Sequence, residues 1–406
     1  MNILLFDIDG VLVDDRGYRA GLSLTIDHFS YMMGQEKRAP APEIVELFHA
    51  NSFTNEWDIC PLAIGALIVA AVRAHPAIEL SPAPLVDFLR QLRGADVGPF
   101  DYAEWVMATD SRAGSPSERA RAALDDGLSK LTLSESTRMA VAAALNELLN
   151  DPYDVAHSIV TQVFQEHILG SSLFEEVYRL RPRFEAESLL YHDDRPFLSA
   201  EARSLLRALV AEGSARACIY SARPSLPPSS TLDWLEQSTH SPQGYAPEAE
   251  LALQLIQLTE LPLIAMGRMQ WFAGRVGTRV EYLVKPSPVQ ALAAILAALS
   301  RHEAEAVESA YRLMSEGQAP STLTALDDRI LDVWVVEDSV IGVHAASAAI
   351  DLINKGDIRA RLHALGVSAG GPKAEVLSKL CETIVPDVNQ AIAYIADRIR
   401  TAQLTQ

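Results

Sequence analysis

The sequence predicts an α/β protein, a doubly wound parallel sheet with a Rossmann-like core that is interrupted after its first strand by a long, all-helical insertion. From about residue 195 short apolar runs alternate with amphipathic segments, whereas residues 16–194 carry almost no strand pattern. Strands separated by helices of about ten residues or more favour right-handed crossovers and parallel pairing. We therefore expect a core domain, 1–15 plus 195–406, and an inserted helical domain, 16–194.

The first strand carries the most informative polar residues. The apolar run 3–6 stops at Asp7, Asp9 and the turn residue Gly10. Side chains two residues apart leave a strand on the same side, and open α/β sheets bind ligands at the carboxyl ends of their strands. Two close carboxylates are costly without a cation between them, and Mg²⁺ prefers such oxygen ligands. The alternative is a solvated acidic turn with no ligand.

The inserted segment has apolar residues at helical spacing throughout. This spacing predicts helices at about 18–29, 43–50, 61–73, 82–92, 117–130, 134–149, 155–169 and 172–178. The most apolar stretch, 60–72, is too short to span a bilayer, so we interpret it as a buried helix.

The C-terminal half alternates strands and helices. Apolar runs predict strands at 217–221, 263–266, 281–284, 333–336 and 361–367, with helices at 199–212, 247–258, 342–350 and from 289. Three polar groups follow these predicted strands: Ser221, Lys285 and the pair Glu337-Asp338. All strand carboxyl ends face one crevice in such a sheet, so we expect these groups to meet Asp7 and Asp9.

Composition excludes several functions. The 406 residues are 49% hydrophobic with a formal net charge of −19, which argues against nucleic-acid binding because phosphate backbones require clustered Lys and Arg. The three cysteines, Cys60, Cys218 and Cys381, have neither zinc nor disulfide spacing and fit small buried side chains in a reducing cytoplasm. No signal peptide is visible at the N-terminus, so we expect a cytoplasmic protein that does not bind membranes.

Four segments resemble the signature motifs of the haloacid-dehalogenase-like hydrolase superfamily. In order they are Phe6-Asp-Ile-Asp-Gly-Val11, Tyr220-Ser-Ala-Arg223, Lys285-Pro-Ser-Pro288 and Val336-Glu-Asp-Ser-Val-Ile-Gly342. The resemblance implies that Asp7 is a nucleophile that forms an aspartyl-phosphate, and that Asp9 is the general acid and then the general base. It also implies that Lys285 neutralises the charge on Asp7 and on the transferring group.

The same resemblance implies the ligand contacts. Ser221 and backbone amides next to it, including that of Ala222, would bind the phosphoryl oxygens, together with Lys285. Mg²⁺ would be held by Asp7, the main-chain carbonyl of Asp9 and Asp338, with Glu337 in or near the metal site. Dehalogenases of this superfamily lack an acid at the position of Asp9, so phosphate chemistry is favoured over carbon–halogen cleavage.

The insertion resembles an enlarged form of the helical cap found in β-phosphoglucomutase and phosphoglycolate phosphatase. A less characterised subgroup of phosphatases shows a closer likeness, because Tyr18-Arg19, Asn55-Glu56-Trp57-Asp58 and the tail 366–373 are similar to elements of it. Arg19, Asn55, Trp57 and Asp58 are therefore candidate substrate contacts. The alternatives are a helix N-cap with a packed aromatic and, for Arg19, a solvated helix face. Gly17 and Glu56 depart from the pattern of that subgroup.

Two further charged segments have open interpretations. Arg223 is close enough to Ser221 to reach a phosphate, but arginines in Pro/Ser-rich loops often lie on the surface. His192-Asp-Asp194 has a metal-like composition, but it falls where the insertion rejoins the core, which favours a solvated hinge.

Together these observations predict a Mg²⁺-dependent phosphatase that acts on a small phosphorylated metabolite. The alternatives are a phosphomutase, because Glu337-Asp338-Ser339 resembles the fourth motif of such enzymes, and a non-catalytic binding protein of the same fold. The substrate and the oligomeric state have no sequence signature.

Overall fold

The computed structural model describes residues 1–110, 114–228, 245–326, 330–356 and 358–404. The chain divides into two compact units. The core unit comprises Met1–Asp15 and Asp194–Gln406, and the helical unit comprises Arg16–Asp193. The chain re-enters the core unit at Asp194, one residue before the expected boundary.

In its described residues the core unit contains a parallel sheet of six strands: β1 (Asn2–Phe6), β4 (Ala215–Tyr220), β5 (Leu263–Ile264), β6 (Leu331–Glu337), β7 (Ala360–Val367) and β8 (Thr383–Val385). The strand order is β5-β4-β1-β6-β7-β8. From β1 the chain proceeds outward to β4 and β5, then returns to β6 on the other side of β1. The strand order therefore reverses at β1, which confirms the predicted doubly wound α/β fold and directs attention to the carboxyl end of this strand.

Helices pack around the core sheet. Among the described residues they are Ala200–Ala211, Glu248–Ile256, Met266–Val276, Pro288–Ser300, Glu303–Glu316, Ser321–Thr324, Val340–Asn354, Gly371–Leu377 and Val388–Leu404, with a 3₁₀ turn at Val280–Tyr282. On one face of the sheet, Leu4 and Phe6 of β1 join a buried cluster with Leu206 and Ile392. Ile3 and Leu5, which alternate with them, are also buried. A strand without a solvated face is typical of a parallel sheet, and it explains why β1 has no polar alternation.

The predicted strand at 281–284 is wrong. Val280–Tyr282 forms a 3₁₀ turn, so Lys285 does not follow a strand. Two helices that precede and follow this region, Met266–Val276 and Glu303–Glu316, have no counterpart in the sequence prediction. Val, Tyr and Leu favour strands only where a partner strand exists, and helix Met266–Val276 directly precedes this apolar run.

Two short strands flank the insertion in the core unit. β2 (Val13–Asp14) pairs antiparallel with β3 (Arg195–Pro196), Val13 opposite Pro196 and Asp14 opposite Arg195. Two paired residues have no readable periodicity, which is why the sequence does not reveal them. The ladder joins the chain before the insertion to the chain after it.

The helical unit consists of helices in its described part, with no strand among those residues. The helices are Arg16–Met32, Pro42–Ala50, Glu56–Ala74, Leu85–Gln91, Tyr102–Asp110, Pro116–Ser129, Glu135–Leu149, Ile159–Tyr178 and Leu189–Asp193. The helix Glu56–Ala74 is long and apolar enough to cross a membrane, but 89% of its most apolar window is buried within the protein. This agrees with the buried helix predicted from 60–72.

The segment Ile159–Tyr178 contains two helical stretches separated by a kink at Gly170, which agrees with the two helices predicted at 155–169 and 172–178. Gly170 has φ 74° and ψ 156°, a conformation that is not helical. A Cβ on Gly170 would lie 2.7 Å from the backbone nitrogen of Ser188, so both the positive φ and the close approach require glycine. The kink therefore follows from this glycine and its neighbour.

Candidate active site

Three carboxylates meet at the carboxyl end of β1 and β6. Asp7 directly follows β1 and its backbone nitrogen donates to the Val336 carbonyl oxygen at 3.2 Å, while Glu337 ends β6 and Asp338 comes next. Oxygen atoms of Asp7, Glu337 and Asp338 all lie within 4.8 Å of one another. The parallel pairing of β1 with β6 brings these residues together although hundreds of residues separate them in the chain.

Lys285 supplies the positive charge at this cluster. Its Nζ lies 3.0 Å from Asp7 Oδ1 and 2.6 Å from Glu337 Oε1. The same ammonium group stands 3.9 Å from the centroid of the Tyr220 ring, a cation–π distance. The side chain is buried, so these partners replace the water that an exposed ammonium would keep.

Gln290 fixes the backbone of Lys285 in the absence of a strand. The Lys285 backbone nitrogen donates to Gln290 Oε1 at 3.0 Å, and Gln290 Nε2 donates to the Ser221 carbonyl oxygen at 2.8 Å. One buried amide therefore connects the third motif to the end of β4. Sequence reasoning missed Gln290. Its signal is a lone amide in the first turns of Pro288–Ser300, an otherwise apolar and deeply buried helix.

Glu337 is fully buried and its oxygens are bonded to protein donors. Oε1 accepts from Lys285 and from the Tyr220 hydroxyl at 2.9 Å, and Oε2 accepts from the Ser339 backbone nitrogen at 3.2 Å and the Ser339 hydroxyl at 2.8 Å. A Cβ on Gly342 would lie 1.7 Å from Glu337 Oε1, so only glycine fits there. This geometry suits a residue that holds Lys285 in place at the edge of a candidate metal site.

Asp338 is approached by a lysine and a glycine. Lys373 Nζ forms an ion pair with Asp338 Oδ2. A Cβ on Gly10, which has φ 69°, would lie 2.1 Å from the same oxygen. Gly10 is therefore required both for its backbone conformation and for the space next to the carboxylate. Lys373 was predicted only as part of the similar tail 366–373, with no role.

Burial has the largest effect on the pKa values of the carboxylates at this site. Burial raises the pKa of Asp7 well above its usual range, and Glu337 adds to this while Lys285 opposes it. Burial also raises the pKa of Asp338, against the opposing effect of Lys373. Burial works to lower the pKa of Lys285, but Asp7 and Glu337 outweigh it and the pKa is raised. The cluster therefore favours additional positive charge.

Ser221 lies at the end of β4, next to β1. Its hydroxyl oxygen accepts from the Arg223 backbone nitrogen at 3.1 Å, and the side chain is buried. Ala222 lies between them in the turn. The register, with Phe6 opposite Ile219, brings the turn after β4 alongside Asp7.

The alternative in which Arg223 lies on the surface is wrong. Its side chain is buried and forms ion pairs with Asp9 and Asp194. The expectation of a solvated hinge is also wrong for Asp194, which is buried, although His192 is exposed. The short-range pattern around each residue contains no signal for a pair 29 residues apart.

The candidate residues of the helical unit have local partners. Asn55 caps the helix Glu56–Ala74, accepting from the Trp57 backbone nitrogen at 2.9 Å. Trp57 is buried and packs edge-to-face on Tyr153 with ring centroids 5.6 Å apart. Asp58 accepts from the hydroxyls of Ser117 and Tyr153, both at 2.7 Å. These contacts match the alternative of a helix cap with a packed aromatic.

Arg19 lies on an exposed position of Arg16–Met32, which also matches its alternative interpretation. Substrate contact by Arg19, Asn55, Trp57 or Asp58 therefore stays a prediction.

The donor set fits a hard divalent cation. The carboxylates of Asp7 and Asp338 are oxygen donors that lie close to each other, and burial, together with the charge of Glu337, raises the pKa of both. A divalent cation would favour their ionised forms. The main-chain carbonyl of Asp9 is the third predicted donor. Glu337 belongs to the same cluster, but it is already bonded to Lys285, Tyr220 and Ser339.

No protein-family model and no curated protein sequence matches this chain. An X-ray structure from the Northeast Structural Genomics Consortium is 16% identical, with a TM-score of 0.58 over 98% of this chain and 100% of the other. This similarity establishes the fold.

Two further solved structures are similar only at a low level. A phosphatase from Thermococcus thioreducens is 15% identical with a TM-score of 0.40, covering 97% of this chain and 99% of the other. A hydrolase from Pseudomonas syringae is 13% identical with a TM-score of 0.34, covering 98% and 99%. These two scores are too low to support an inference. Asp7, Lys285 and Asp338, which belong to three of the four segments that resemble haloacid-dehalogenase-like motifs in the sequence, lie together in the core unit.

Proposed function

We propose that this protein is a Mg²⁺-dependent phosphatase that hydrolyses a small phosphorylated metabolite through an aspartyl-phosphate on Asp7. The observation that carries the proposal is the Asp7–Lys285 pair at 3.0 Å, at the carboxyl end of the central strand and inside a carboxylate cluster suited to a divalent cation. An anionic nucleophile and an anionic substrate can approach each other only where positive charge is concentrated.

In the first step an Asp7 carboxylate oxygen forms a bond to the phosphorus and the bond to the ester oxygen breaks. Asp9 donates a proton to that oxygen, so the leaving group departs as an alcohol. Lys285, fixed by Glu337, neutralises charge that builds up around the transferred group. Bound Mg²⁺ would supply further charge neutralisation at Asp7, Asp338 and the Asp9 carbonyl.

In the second step Asp9, now ionised, takes a proton from a water molecule, whose oxygen forms a bond to the phosphorus. The bond to Asp7 breaks, which releases inorganic phosphate and restores the Asp7 carboxylate. The turn at Ser221 and Ala222 lies alongside Asp7 and would hold the non-reacting phosphoryl oxygens. One residue thus serves first as the acid and then as the base, because the loss of its proton in the first step leaves it able to accept one in the second.

The test compares the wild type with Asp7→Asn in hydrolysis of p-nitrophenyl phosphate with and without Mg²⁺. Loss of a covalent nucleophile is expected to lower kcat by roughly a thousandfold or more. Asp351→Asn, on an exposed position of the helix Val340–Asn354, is the matched control and should keep wild-type activity. Equal activity in the wild type and Asp7→Asn would exclude the proposal. If Asp7→Asn is inactive, a panel of phosphorylated metabolites would identify the substrate class.

The phosphomutase alternative predicts a different product. The same residues would return the phosphoryl group to a second hydroxyl instead of to water, and activity would depend on a bisphosphate activator. Isomerisation of a phospho-sugar at a rate above phosphate release would favour it. The non-catalytic alternative is less consistent with the site, because the acidic and basic positions of the four motifs are present and paired in the core unit.

A further inference from the structure

The carboxylate of Asp9 is held by Arg223. Nε of Arg223 donates to Asp9 Oδ1 at 2.8 Å and to Oδ2 at 3.1 Å, and a terminal nitrogen lies 2.6 Å from Oδ1. A planar guanidinium that meets both oxygens of a carboxylate fixes its orientation as well as its position. The Asp9 side chain is 32% exposed, so without this partner it would have freedom to change rotamer.

Arg223 is itself fixed on its other side. The same terminal nitrogen lies 2.9 Å from Asp194 Oδ2, and the side chains of Arg223 and Asp194 are only 1% and 3% exposed. The Arg223 backbone nitrogen also donates to the Ser221 hydroxyl oxygen. Asp194 is the residue at which the chain re-enters the core unit, directly before β3. The guanidinium is therefore immobilised between the returning chain and the second motif.

We propose that Arg223, immobilised by Asp194, is a positioning residue that holds the Asp9 carboxylate in its catalytic orientation. The inference rests on the proposed function, because it takes Asp9 to be the general acid and base. Arg223 contacts the Asp9 carboxylate directly, so we expect its effect on catalysis to run through Asp9.

A positioning role and a purely structural ion pair differ in one measurable respect. A misplaced general acid matters most when the leaving oxygen is basic and needs a proton, and least when it departs readily as an anion. A structural defect lowers activity by the same factor for both kinds of substrate. The value to compare is kcat/KM, because it covers the steps up to phosphoryl transfer and is independent of the later hydrolysis.

The experiment uses phenyl phosphate and p-nitrophenyl phosphate with the intact protein. Removing Arg223 alone would break its buried ion pair with Asp194, and breaking such a pair is strongly destabilising. The informative variant is therefore the double change Arg223→Met with Asp194→Asn, which removes one charge of each sign. Arg223→Lys keeps the charge without the planar fork and serves as the partial rescue.

A second buried arginine of the core unit provides the matched control. Arg268 forms ion pairs with Glu250 and Glu303, an arrangement of the same charge type away from Asp9. Arg268→Met with Glu303→Gln removes the same number of charges. Circular dichroism and thermal unfolding of each variant separate loss of fold from loss of activity.

We expect kcat/KM of the double variant at 223 and 194 to fall about a hundredfold or more for phenyl phosphate and about tenfold or less for p-nitrophenyl phosphate. Arg223→Lys should give an intermediate difference between the two substrates, and the Arg268 control should give none. An equal fall for both substrates in a folded variant, or no fall, would overturn the positioning role. An inactive wild type, or an active Asp7→Asn, would instead refute the proposed function on which it rests.

If the double variant does not fold, Arg223→Lys carries the same test. A larger loss for phenyl phosphate than for p-nitrophenyl phosphate supports the positioning role, and equal losses contradict it.

Discussion

Lys285 lies closer to Glu337 than to Asp7, with Nζ–oxygen distances of 2.6 and 3.0 Å. Glu337 is fully buried and receives three further hydrogen bonds from Tyr220 and Ser339, so it has no freedom to follow the lysine. The carboxylate therefore sets the position of the ammonium group, and Asp7 meets a cation that is already in place. The site is organised before a substrate binds.

Replacing Glu337 by Gln tests this arrangement. The amide keeps the size of the side chain but removes the charge that holds Lys285, so we expect kcat to fall by roughly ten- to a hundredfold, with a smaller effect on KM. Removing a negative charge near Asp7 also lowers the pKa of Asp7, so the acidic limb of the pH–rate profile should move to lower pH. A profile that moves to higher pH would contradict this assignment. The exposed Glu375, changed to Gln, is the control.

A substitution at Gly342 gives a steric test of the role of Glu337 in holding Lys285. A Cβ would lie 1.7 Å from Glu337 Oε1, so Gly342→Ala must displace the carboxylate and with it Lys285. We expect a loss of stability of about 1–3 kcal/mol, as for other overpacked sites, together with a marked loss of activity. Chemical denaturation and steady-state kinetics measure the two effects.

Gly274 is the matched control for that substitution. It lies in the helix Met266–Val276, and a Cβ there meets no atom within 4 Å. Gly274→Ala should leave activity unchanged and stabilise the protein slightly, because alanine is the better helix former. If the two alanine variants behave alike, steric pressure on Glu337 is not the cause.

Lys373 would compete with the proposed divalent cation for Asp338. Its ammonium group is paired with the Asp338 carboxylate, so a bound metal must share or displace this contact. Lys373→Met removes a positive charge next to the metal donors and is expected to tighten Mg²⁺ binding by roughly tenfold. Isothermal titration calorimetry without substrate measures the affinity directly.

Lys379→Met removes the same charge at an exposed position beyond the helix Gly371–Leu377 and should leave the affinity unchanged. Weaker Mg²⁺ binding in Lys373→Met than in Lys379→Met would mean that Lys373 helps to hold the ion or its ligands in place.

The raised pKa of Asp7 has a consequence for stability. The native state keeps the Asp7 proton to higher pH than the unfolded chain does. The free energy of unfolding therefore falls as the pH rises from 3.8, the ordinary pKa of this carboxyl, through the higher pKa that it has in the native state. In metal-free protein at neutral pH, Asp7→Asn should therefore raise Tm by a few degrees. The gain should disappear in acid, where Asp7 is protonated in both states.

Thermal unfolding of the wild type and Asp7→Asn in the presence of a chelator, at several pH values, measures this difference. A variant that is less stable than the wild type at neutral pH would show that the Lys285–Asp7 pair outweighs the burial of the carboxylate.

The sequence predicts the parts of this site that depend on strong local patterns. Asp7, Ser221 and Asp338 each follow a buried apolar strand, and the alternation of strands and helices is enough to bring their ends together. The sequence predicts correctly that Lys285 lies close to Asp7, but it does so through a strand at 281–284 that the structure does not contain. Glu281-Tyr-Leu-Val284 has strand-forming residues, but Val280–Tyr282 forms a 3₁₀ turn. Gln290, instead of a partner strand, holds the backbone nitrogen of Lys285.

Arg223, Asp194 and Lys373 could not be assigned from the sequence because their roles arise from contacts between distant segments. Arg223 lies in a loop that favours exposure by composition, and only the fold brings Asp9 and Asp194 to it. For Asn55 and Trp57 the sequence pattern fits both interpretations, a substrate contact and a helix cap with a packed aromatic. In the structure their contacts are a helix cap and aromatic packing.

The most direct measurement is to trap the phosphorylated protein. Under the proposed mechanism, Asp9→Asn is expected to slow hydrolysis of the intermediate, while p-nitrophenyl phosphate should still transfer its phosphoryl group without a strong need for the acid. After mixing with Mg²⁺ and an acid quench, mass spectrometry should find one phosphoryl group on the N-terminal peptide that contains Asp7, and none in the double variant that also carries Asp7→Asn. Turnover by the wild type with the phosphoryl group on another residue would contradict Asp7 as the nucleophile.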